Sequence, residues 1–447
     1  MALLADEHAT HLRSSGVVGS AATGSLWQAV TPHPEALPPL SGQRQADVVV
    51  IGAGFTGLAA ALELRRRGAD VVVLEAAQPG WGASGRNSGL VIPTLTRPDP
   101  DDIVARHGES GERFVHLLRD SADQLFALAR SLGLGAEAER NGWLQPAHTP
   151  GRVALLERRV AQWRKWGAPV RMLDRNEVRQ ALGSDAWQAG LLNDSGGTVN
   201  PLALLHAMVA ASRAAGITIH GHSAVTSFRR NGDRWLVATA NGMITARGLL
   251  LATNAYSAEF TPQLAPQIAR EIVPVVSWLA ATEPLPERLR RDVIPRRVAM
   301  SDTRGDLRFA RYDADHRLIS GGALINPVDR PARLRTLVAA RLARLWPQLD
   351  TTRIAFVWNG LIGITPDRFP RFHQLGPDAF AWAGCNGRAV ALSLAVGREF
   401  ARALSGERLG DLALPFTDPT PLPAHGVLRR LAPLALLNYR WRDAREI

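Results

Sequence analysis

Asp47-Val48-Val49-Val50-Ile51-Gly52-Ala53-Gly54-Phe55-Thr56-Gly57 is the stretch on which the reading of this 447-residue chain turns. From Asp47 to Ile51 the residues are apolar and β-branched without alternation, the pattern of a parallel strand buried on both faces. Leu58 to Arg67 then supplies Ala59, Ala60, Ala61, Leu62 and Leu64, which predicts a helix, and Gly68 sits where its C-cap belongs. A second strand, Asp70 to Leu74, ends in Glu75.

Each glycine has a physical task in a strand-turn-helix of this kind. Gly52 permits the tight turn, Gly54 lets the backbone approach a pyrophosphate, and Gly57 lets the helix pack on the strand. The helix N-terminus, with Phe55 and Thr56 in its first turn, offers free N–H groups and a partial positive charge to phosphates. Glu75 stands 23 positions after Gly52, about where an acid at the tip of the second strand meets a ribose hydroxyl, with Ala76 beside it. An acid there argues against a 2′-phosphate. The order of strand, loop, helix, strand and acid predicts an α/β dinucleotide-binding unit of Rossmann type and leaves NAD and FAD both open.

The chain length allows two or three domains around large cores. Hydrophobic residues are 46% and charged residues 21%, ordinary for a soluble globular protein. No run of about 18 apolar residues predicts a membrane-spanning helix. Asp6 and Glu7 stand where a secretory leader would be basic, so the expected location is cytoplasmic. One cysteine, Cys385, excludes an intrachain disulfide and a cysteine-based zinc site. His220 and His222 are expected on one strand face, but without a third ligand no metal site is expected. The formal charge of +11 raises nucleic acid as a partner. Lys165 is the only lysine among 52 basic residues, and the arginines are scattered without an aromatic-interleaved stripe, which makes a solvated surface the better reading.

Gly80-Trp81-Gly82-Ala83-Ser84-Gly85-Arg86-Asn87-Ser88-Gly89 forms a second glycine-rich loop. It lacks the second glycine of a nucleophile elbow, so it is not a serine-hydrolase motif. The two glycine loops together resemble the FAD-dependent oxidoreductases of the D-amino-acid oxidase superfamily, most closely the γ-glutamylputrescine oxidase branch. Two further segments carry the resemblance: Leu249-Leu250-Leu251-Ala252-Thr253-Asn254, and Trp358 to Asp367 continued by Ala383-Gly384-Cys385-Asn386-Gly387-Arg388-Ala389.

The resemblance implies a Rossmann-type FAD-binding domain of glutathione-reductase type, interleaved with a substrate domain on a mixed β-sheet, α/β in its parts and α+β overall. It implies an arm over 1–45, an FAD-binding domain from 46–95, 195–257 and 346–410, a substrate domain from 96–194 and 258–345, and a tail over 411–447. The cofactor residues it implies, beyond Gly52, Gly54, Phe55, Thr56, Gly57, Glu75 and Ala76, are Gly82, Ala83, Ser84, Arg86, Asn87, Ser88, Val225, Thr253, Asn254, Gly360, Gly363, Gly387, Arg388 and Ala389. Gly360 stands where relatives of sarcosine-oxidase type carry the cysteine that bonds the flavin, so the FAD is expected to be noncovalent. Arg388 would set a fixed cation against the negative charge of reduced flavin.

The activity implied is oxidation of a C–N bond in an amine or amino-acid-like substrate by hydride transfer to flavin, with the imine hydrolysed afterwards. Oxygen or another acceptor takes the electrons. Oxidation of a 2-hydroxy acid is an alternative, and an RNA-modifying flavoprotein is an alternative of another class. The lysines that related enzymes use for oxygen and for a substrate carboxylate are missing, and Ala391 stands about where the second would be. No catalytic base is named. Tyr256, Trp278, Tyr312, Trp358 and Arg308 are pocket candidates, and strand alternation allows only one of Arg308 and Phe309 to face a pocket.

Elsewhere, Pro32, Pro34, Pro38 and Pro39 predict an extended arm that Trp27 anchors. Asp101 to Leu132 and Val153 to Trp166 read as helices, and Asn200-Pro201 starts another. Asn231-Gly232 and Asn241-Gly242 mark the turns of a three-stranded meander. The tail from His425 carries five arginines among leucines, with Pro433 expected to interrupt its helix. Peripheral membrane contact is one reading of it, and packing on the protein itself or on a second subunit is the other.

Overall fold

The computed structural model describes residues 24–306, 308–324 and 329–445, which leaves Asp6, Glu7 and Glu446 outside. The first element of the described residues is α1 (Leu26–Val30), whose capping box joins Ser25 and Gln28. An extended arm was expected here. The helix ends at Val30, before the prolines begin at Pro32, and Thr31 caps it. After it come β1 (Gly42–Ile51), α2 (Phe55–Arg66), β2 (Val71–Leu74), α3 (Pro100–Ser131), α4 (Pro201–Ala214), β3 (Thr218–His220), β4 (Val225–Asn231), β5 (Arg234–Thr239) and β6 (Gly242–Leu251). The part of the C-terminal half used below contains β7 (Val273–Pro284), β8 (Phe309–Tyr312), β9 (Arg317–Gly322), β10 (Ile354–Ile364), β11 (Arg371–Gly376), β12 (Ala379–Ala383), α5 (Val390–Leu404) and α6 (His425–Arg445).

The first sheet has the order β4-β5-β6-β1-β2-β3. β6, β1, β2 and β3 are parallel neighbours, while β4, β5 and β6 form the antiparallel meander. β6 is long enough to change partner. Met243–Ala246 pair with β5, and Leu249–Leu251 pair with β12. The unalternated run in β1 is explained by two cores. Val48 and Val50 point into one with Leu58, Ala61 and Phe400, and Val49 and Ile51 point into the other with Val225, Val237 and Ile244.

β1 begins at Gly42, five residues before the expected start, because its polar first half pairs with Gly242–Ala246 of β6. Gly57 lies so near β1 that a Cβ would stand 2.0 Å from the Gly52 carbonyl oxygen. On the other side of α2, a Cβ at Gly397 would meet the Thr56 carbonyl oxygen at 2.4 Å, so α5 packs nearly backbone to backbone on α2. These two contacts bring the N-termini of α2 and α5 to the same end of the sheet.

The second sheet is mixed, in the order β10-β7-β9-β8 followed by Ala299–Ser301, Trp143–Pro146, Gly190–Asn193 and Val170–Leu173. Among the described residues its only parallel pair joins Ala299–Ser301 to Trp143–Pro146. β10 pairs along its length with β7, so the second sheet continues past residue 345, where a return to the first was expected.

Three local expectations meet the structure directly. Asn200 caps α4 through its side chain, with Pro201 in the first turn. His222 does not share a strand face with His220, since β3 ends at His220 and His222 turns away with φ 47°. The helix α6 runs through Pro433 without interruption from His425 to Arg445. Contacts hold it on both sides of that proline: Arg429 pairs with Glu259 at 2.9 Å, and Arg440 with Asp306 at 3.0 Å.

Candidate functional site

A cavity of about 880 Å³ lies between the two sheets, at the C-terminal ends of β1 and β2. Gly52, Ala53, Gly54, Phe55 and Thr56 form its floor, and Glu75, Ala76 and Val225 line the far end. Glu75 is tied into the glycine loop. Its carboxylate accepts from the Ala53 N–H at 2.9 Å and the Ala77 N–H at 3.1 Å. Burial pushes the Glu75 pKa up, and these backbone donors oppose the shift.

The second glycine loop crosses the N-terminus of α2. Ser84 Oγ accepts from the Phe55 N–H at 3.1 Å, and a Cβ on Gly54 would stand 2.9 Å from that oxygen. Gly82, Ala83, Arg86, Asn87 and Ser88 also line the cavity. Arg86 is held by the Trp81 carbonyl at 2.5 Å, and burial lowers its pKa. Asn87 donates to the carbonyls of Ala83 and Ser84 and accepts from the Gly89 N–H, which fixes the turn.

Thr253 and Asn254 follow β6 onto the wall, where Asn254 Oδ1 accepts from the Gly384 N–H at 2.9 Å. Gly360, Gly387, Arg388 and Ala389 complete this side. Arg388 is buried, with 6% of its surface exposed. It donates to Thr94 Oγ1 at 3.1 Å and stacks over Trp143 at 4.8 Å. Burial, with Arg159 nearby, lowers its pKa to about 9, so it is a cation at neutral pH.

Two of the expected cofactor residues do not line the cavity. Gly57 faces β1, as its close approach to Gly52 requires, and Gly363 packs under Asn254, whose Oδ1 would lie 2.8 Å from an added Cβ. Of the pocket candidates, Tyr256 and Trp278 line the cavity and Tyr312, Trp358 and Arg308 do not. Tyr312 donates its hydroxyl to the Val293 carbonyl within the core of the second sheet. Trp358 turns its indole to the Arg86 carbonyl at 2.8 Å and packs edge-on against Trp27. Phe309 takes the cavity side of its strand, which sends Arg308 towards Asp302 and Asp306.

Sequence reasoning named Tyr256 and Trp278 and missed the rest of the aromatic wall, Trp81, Phe260 and Phe309. Trp81 meets Tyr256 at 5.8 Å and Phe260 at 5.2 Å, both edge to face. The Tyr256 hydroxyl accepts from the Leu361 N–H at 3.1 Å, and burial pushes its pKa up to about 12. Trp81 was in the quoted loop, but nothing local tells which way its ring points. Also missed was the roof: Leu428, Arg429, Ala432 and Tyr439 of α6 line the cavity. Arg368 donates to the Tyr439 hydroxyl at 2.8 Å.

The chain matches the family described as DAO, FAD dependent oxidoreductase, over residues 47–403. It belongs to that family. γ-Glutamylputrescine oxidoreductase of Escherichia coli K12 is 32% identical over 363 residues, covering 81% of this chain and 84% of that protein. The bifunctional tRNA 5-methylaminomethyl-2-thiouridine biosynthesis protein MnmC of Polaromonas is 27% identical over 390 residues, covering 82% of this chain and 58% of that protein. Among solved structures, glycine oxidase from Geobacillus kaustophilus superposes with a TM-score of 0.70 at 20% identity, over 85% of this chain and 100% of that one.

The protein is therefore an enzyme, an FAD-dependent oxidoreductase, and its cavity fits that cofactor. The N-termini of α2 and α5 both reach the cavity wall, and neither is capped by the side chain of its own N-cap residue, Gly54 or Ala389. Two positive helix ends at one cavity suit a ligand that is anionic in two places. Among the described residues no helix is long and apolar enough to cross a membrane.

Proposed function

We propose that this oxidoreductase oxidises a C–N bond in an amine or amino-acid-like substrate, giving an imine that water hydrolyses. The observation that carries the reading is the continuity of one cavity. It leads from Glu75 and the glycine loops to the aromatic group of Trp81, Tyr256, Phe260, Trp278 and Phe309. Aromatic faces bind the alkyl body of an amine. Similarity to γ-glutamylputrescine oxidoreductase supports the substrate class.

When bound, FAD supplies the two-electron acceptor for the C–N bond. We assign the first α2 turn and the Ser84 loop to its pyrophosphate, Glu75 to a ribose, and Arg388 with the α5 N-terminus to the end where negative charge develops. With Gly360 at the position of a flavin-bonding cysteine, the cofactor is held without a covalent bond. The segments 46–95, 195–257 and 346–410 serve the cofactor, with β10 reaching it through Gly360 from the second sheet, and 96–194 and 258–345 serve the substrate.

On the substrate, the C–H hydrogen leaves with its electron pair, the nitrogen lone pair fills the new C=N bond, and the resulting iminium gives its N–H proton to water as it becomes the imine. The substrate must therefore arrive as the neutral amine, and no protein base is required. Tyr256 stays a neutral phenol throughout the working pH range, since its proton leaves only near pH 12. The aromatic wall excludes water and holds the amine face-on.

Anaerobic mixing of the yellow protein with a panel of primary and secondary amines tests this. Bleaching by an amine, at a rate that rises with pH as the amine loses its proton, is the expected result. Bleaching by 2-hydroxy acids and by no amine would replace this reading with the hydroxy-acid alternative. Oxygen and artificial acceptors, tried in turn on the bleached protein, identify what reoxidises it.

A further inference from the structure

The charged groups at the roof of the cavity are of two kinds. Arg429 pairs with Glu259 at 2.9 Å, and Asp306 is held by Arg341 and Arg440, so these charges are met within the protein. Arg368, which also lines the cavity, is different. Its neighbour Asp367 turns to Arg106 and Arg371, and among the described residues no carboxylate pairs with Arg368. Its guanidinium donates instead to the neutral Tyr439 hydroxyl at 2.8 Å. That hydroxyl still has its own proton to donate, and among the described residues nothing accepts it.

Both groups are held by tight local structure. Arg368 adopts φ 61°, a left-handed conformation that strains an arginine, and its N–H closes a turn on the Thr365 carbonyl at 3.2 Å. The Tyr439 ring lies so near Gly305 that a Cβ there would stand 2.7 Å from Cδ1. One turn further along α6, Asp443 accepts from the Gly305 and Asp306 N–H groups at 3.0 and 3.2 Å, which pins the helix at this point. Tyr439 lies beyond residues 47–403, so this part of the wall comes from outside the region matched to the family.

We propose that Arg368 and Tyr439 bind a carboxylate carried by the amine substrate, an inference that rests on the amine reading above. The guanidinium fork matches a planar carboxylate, and the phenol proton adds a second donor beside it. A substrate bearing only an amine would, in its protonated form, meet Arg368 with like charge. A substrate with both groups has its acid fixed at the roof, which leaves its C–N bond to the aromatic wall.

Anaerobic reduction of the holoenzyme by pentylamine, 5-aminopentanoate and 2-aminopentanoate, with pentanoate as a ligand that has no amine, tests the proposal. At least one of the two amino acids should reduce the flavin about 100-fold more efficiently than pentylamine, and pentanoate should compete with it and perturb the flavin spectrum. R368Q should lose about 100-fold of this preference and Y439F about 10-fold, the usual value of hydrogen bonds to a charged group. R368K keeps the charge without the fork and should fall between R368Q and the parent. All three variants should stay yellow, which shows that the fold persists. Equal efficiency with pentylamine and both amino acids, or a preference that R368Q and Y439F leave unchanged, overturns the proposal. Flavin reduction by no amine would end the amine reading. In that case pentanoate binding that R368Q abolishes still gives the roof to a carboxylate, and absence of pentanoate binding removes the carboxylate site as well.

Discussion

Replacing Glu75 tests how the glycine loop and the cofactor are coupled. Its two carboxylate oxygens accept from Ala53, in the turn after β1 and 22 residues away, and from Ala77, two residues further along the chain after β2. Alanine at this position leaves both N–H groups unpaired, at about 1–3 kcal/mol each, so the empty loop loses about 2–6 kcal/mol. If the carboxylate also receives two ribose hydroxyls, charge-assisted bonds of about 1.5–3 kcal/mol each are lost on binding, a fall in FAD affinity of about 10²–10⁴-fold. Glutamine keeps one acceptor and the shape, and should lose about 10–100-fold.

The assay is titration of apoprotein with FAD, followed by quenching of flavin fluorescence. Its pH dependence has a definite sign. Burial raises the Glu75 pKa above its usual 4.5, and hydroxyl donors favour the ionised form, so affinity should fall as pH drops through that raised value and level off above it. The Glu75→Gln protein should show no such fall. A folded Glu75→Ala protein that binds FAD as tightly as the parent would refute the assignment of this acid to the ribose.

Gly57→Ala should abolish FAD binding or soluble expression, since its Cβ would overlap the Gly52 carbonyl at 2.0 Å and push α2 off β1; retained yellow colour would show that the contact can relax. Acid precipitation should release all the flavin, and Cys385→Ser should bind as much FAD as the parent; flavin retained in the pellet would mean a covalent bond. Arg388→Met should lower the flavin midpoint potential by about 30–60 mV, the value of one charge-assisted interaction, measured by dye-coupled reduction. Trp27→Ala removes a fully buried ring whose N–H holds the Asn87 carbonyl at 2.8 Å, and should cost about 3–5 kcal/mol, seen as a lower midpoint in chemical unfolding.

The elements that could be read from the sequence are those whose cause is local. The strand-turn-helix at Gly52 announces itself through β-branching, glycine spacing and alanines, and the Asn200 cap through side-chain chemistry. The first half of β1 could not be read in this way. Gly42, Gln43, Arg44 and Gln45 have no strand composition, and they are extended because β6, some 200 residues later, pairs with them. Trp358 and Tyr312 looked like pocket aromatics because residue type alone does not fix a face. Trp358 is turned away by Trp27, from a segment more than 300 residues earlier. The uninterrupted α6 has a similar origin: Pro433 removes one helical hydrogen bond, but the ion pairs on its two sides hold both halves against the cavity roof.

The division between local and distant causes also explains why the cofactor end was more legible than the substrate end. Phosphates are met by backbone N–H groups at a helix start, so the sequence requirement is a glycine pattern that can be seen in a dozen residues. The amine we propose as substrate would be met by side chains from separate elements. Trp81 comes from the second glycine loop, Tyr256 and Phe260 from the chain after β6, Trp278 from β7, Phe309 from β8 and Tyr439 from α6. Their common feature is a position in space, created where α6 packs over β7 beside the glycine loops. Changing the amine therefore requires no change in the glycine loops: substitutions at Phe309 or Tyr439 should shift which amine bleaches the protein and leave FAD affinity unchanged. If both properties moved together in those variants, the aromatic end and the cofactor end would not be separable, and the assignment of the aromatic group to substrate would fail.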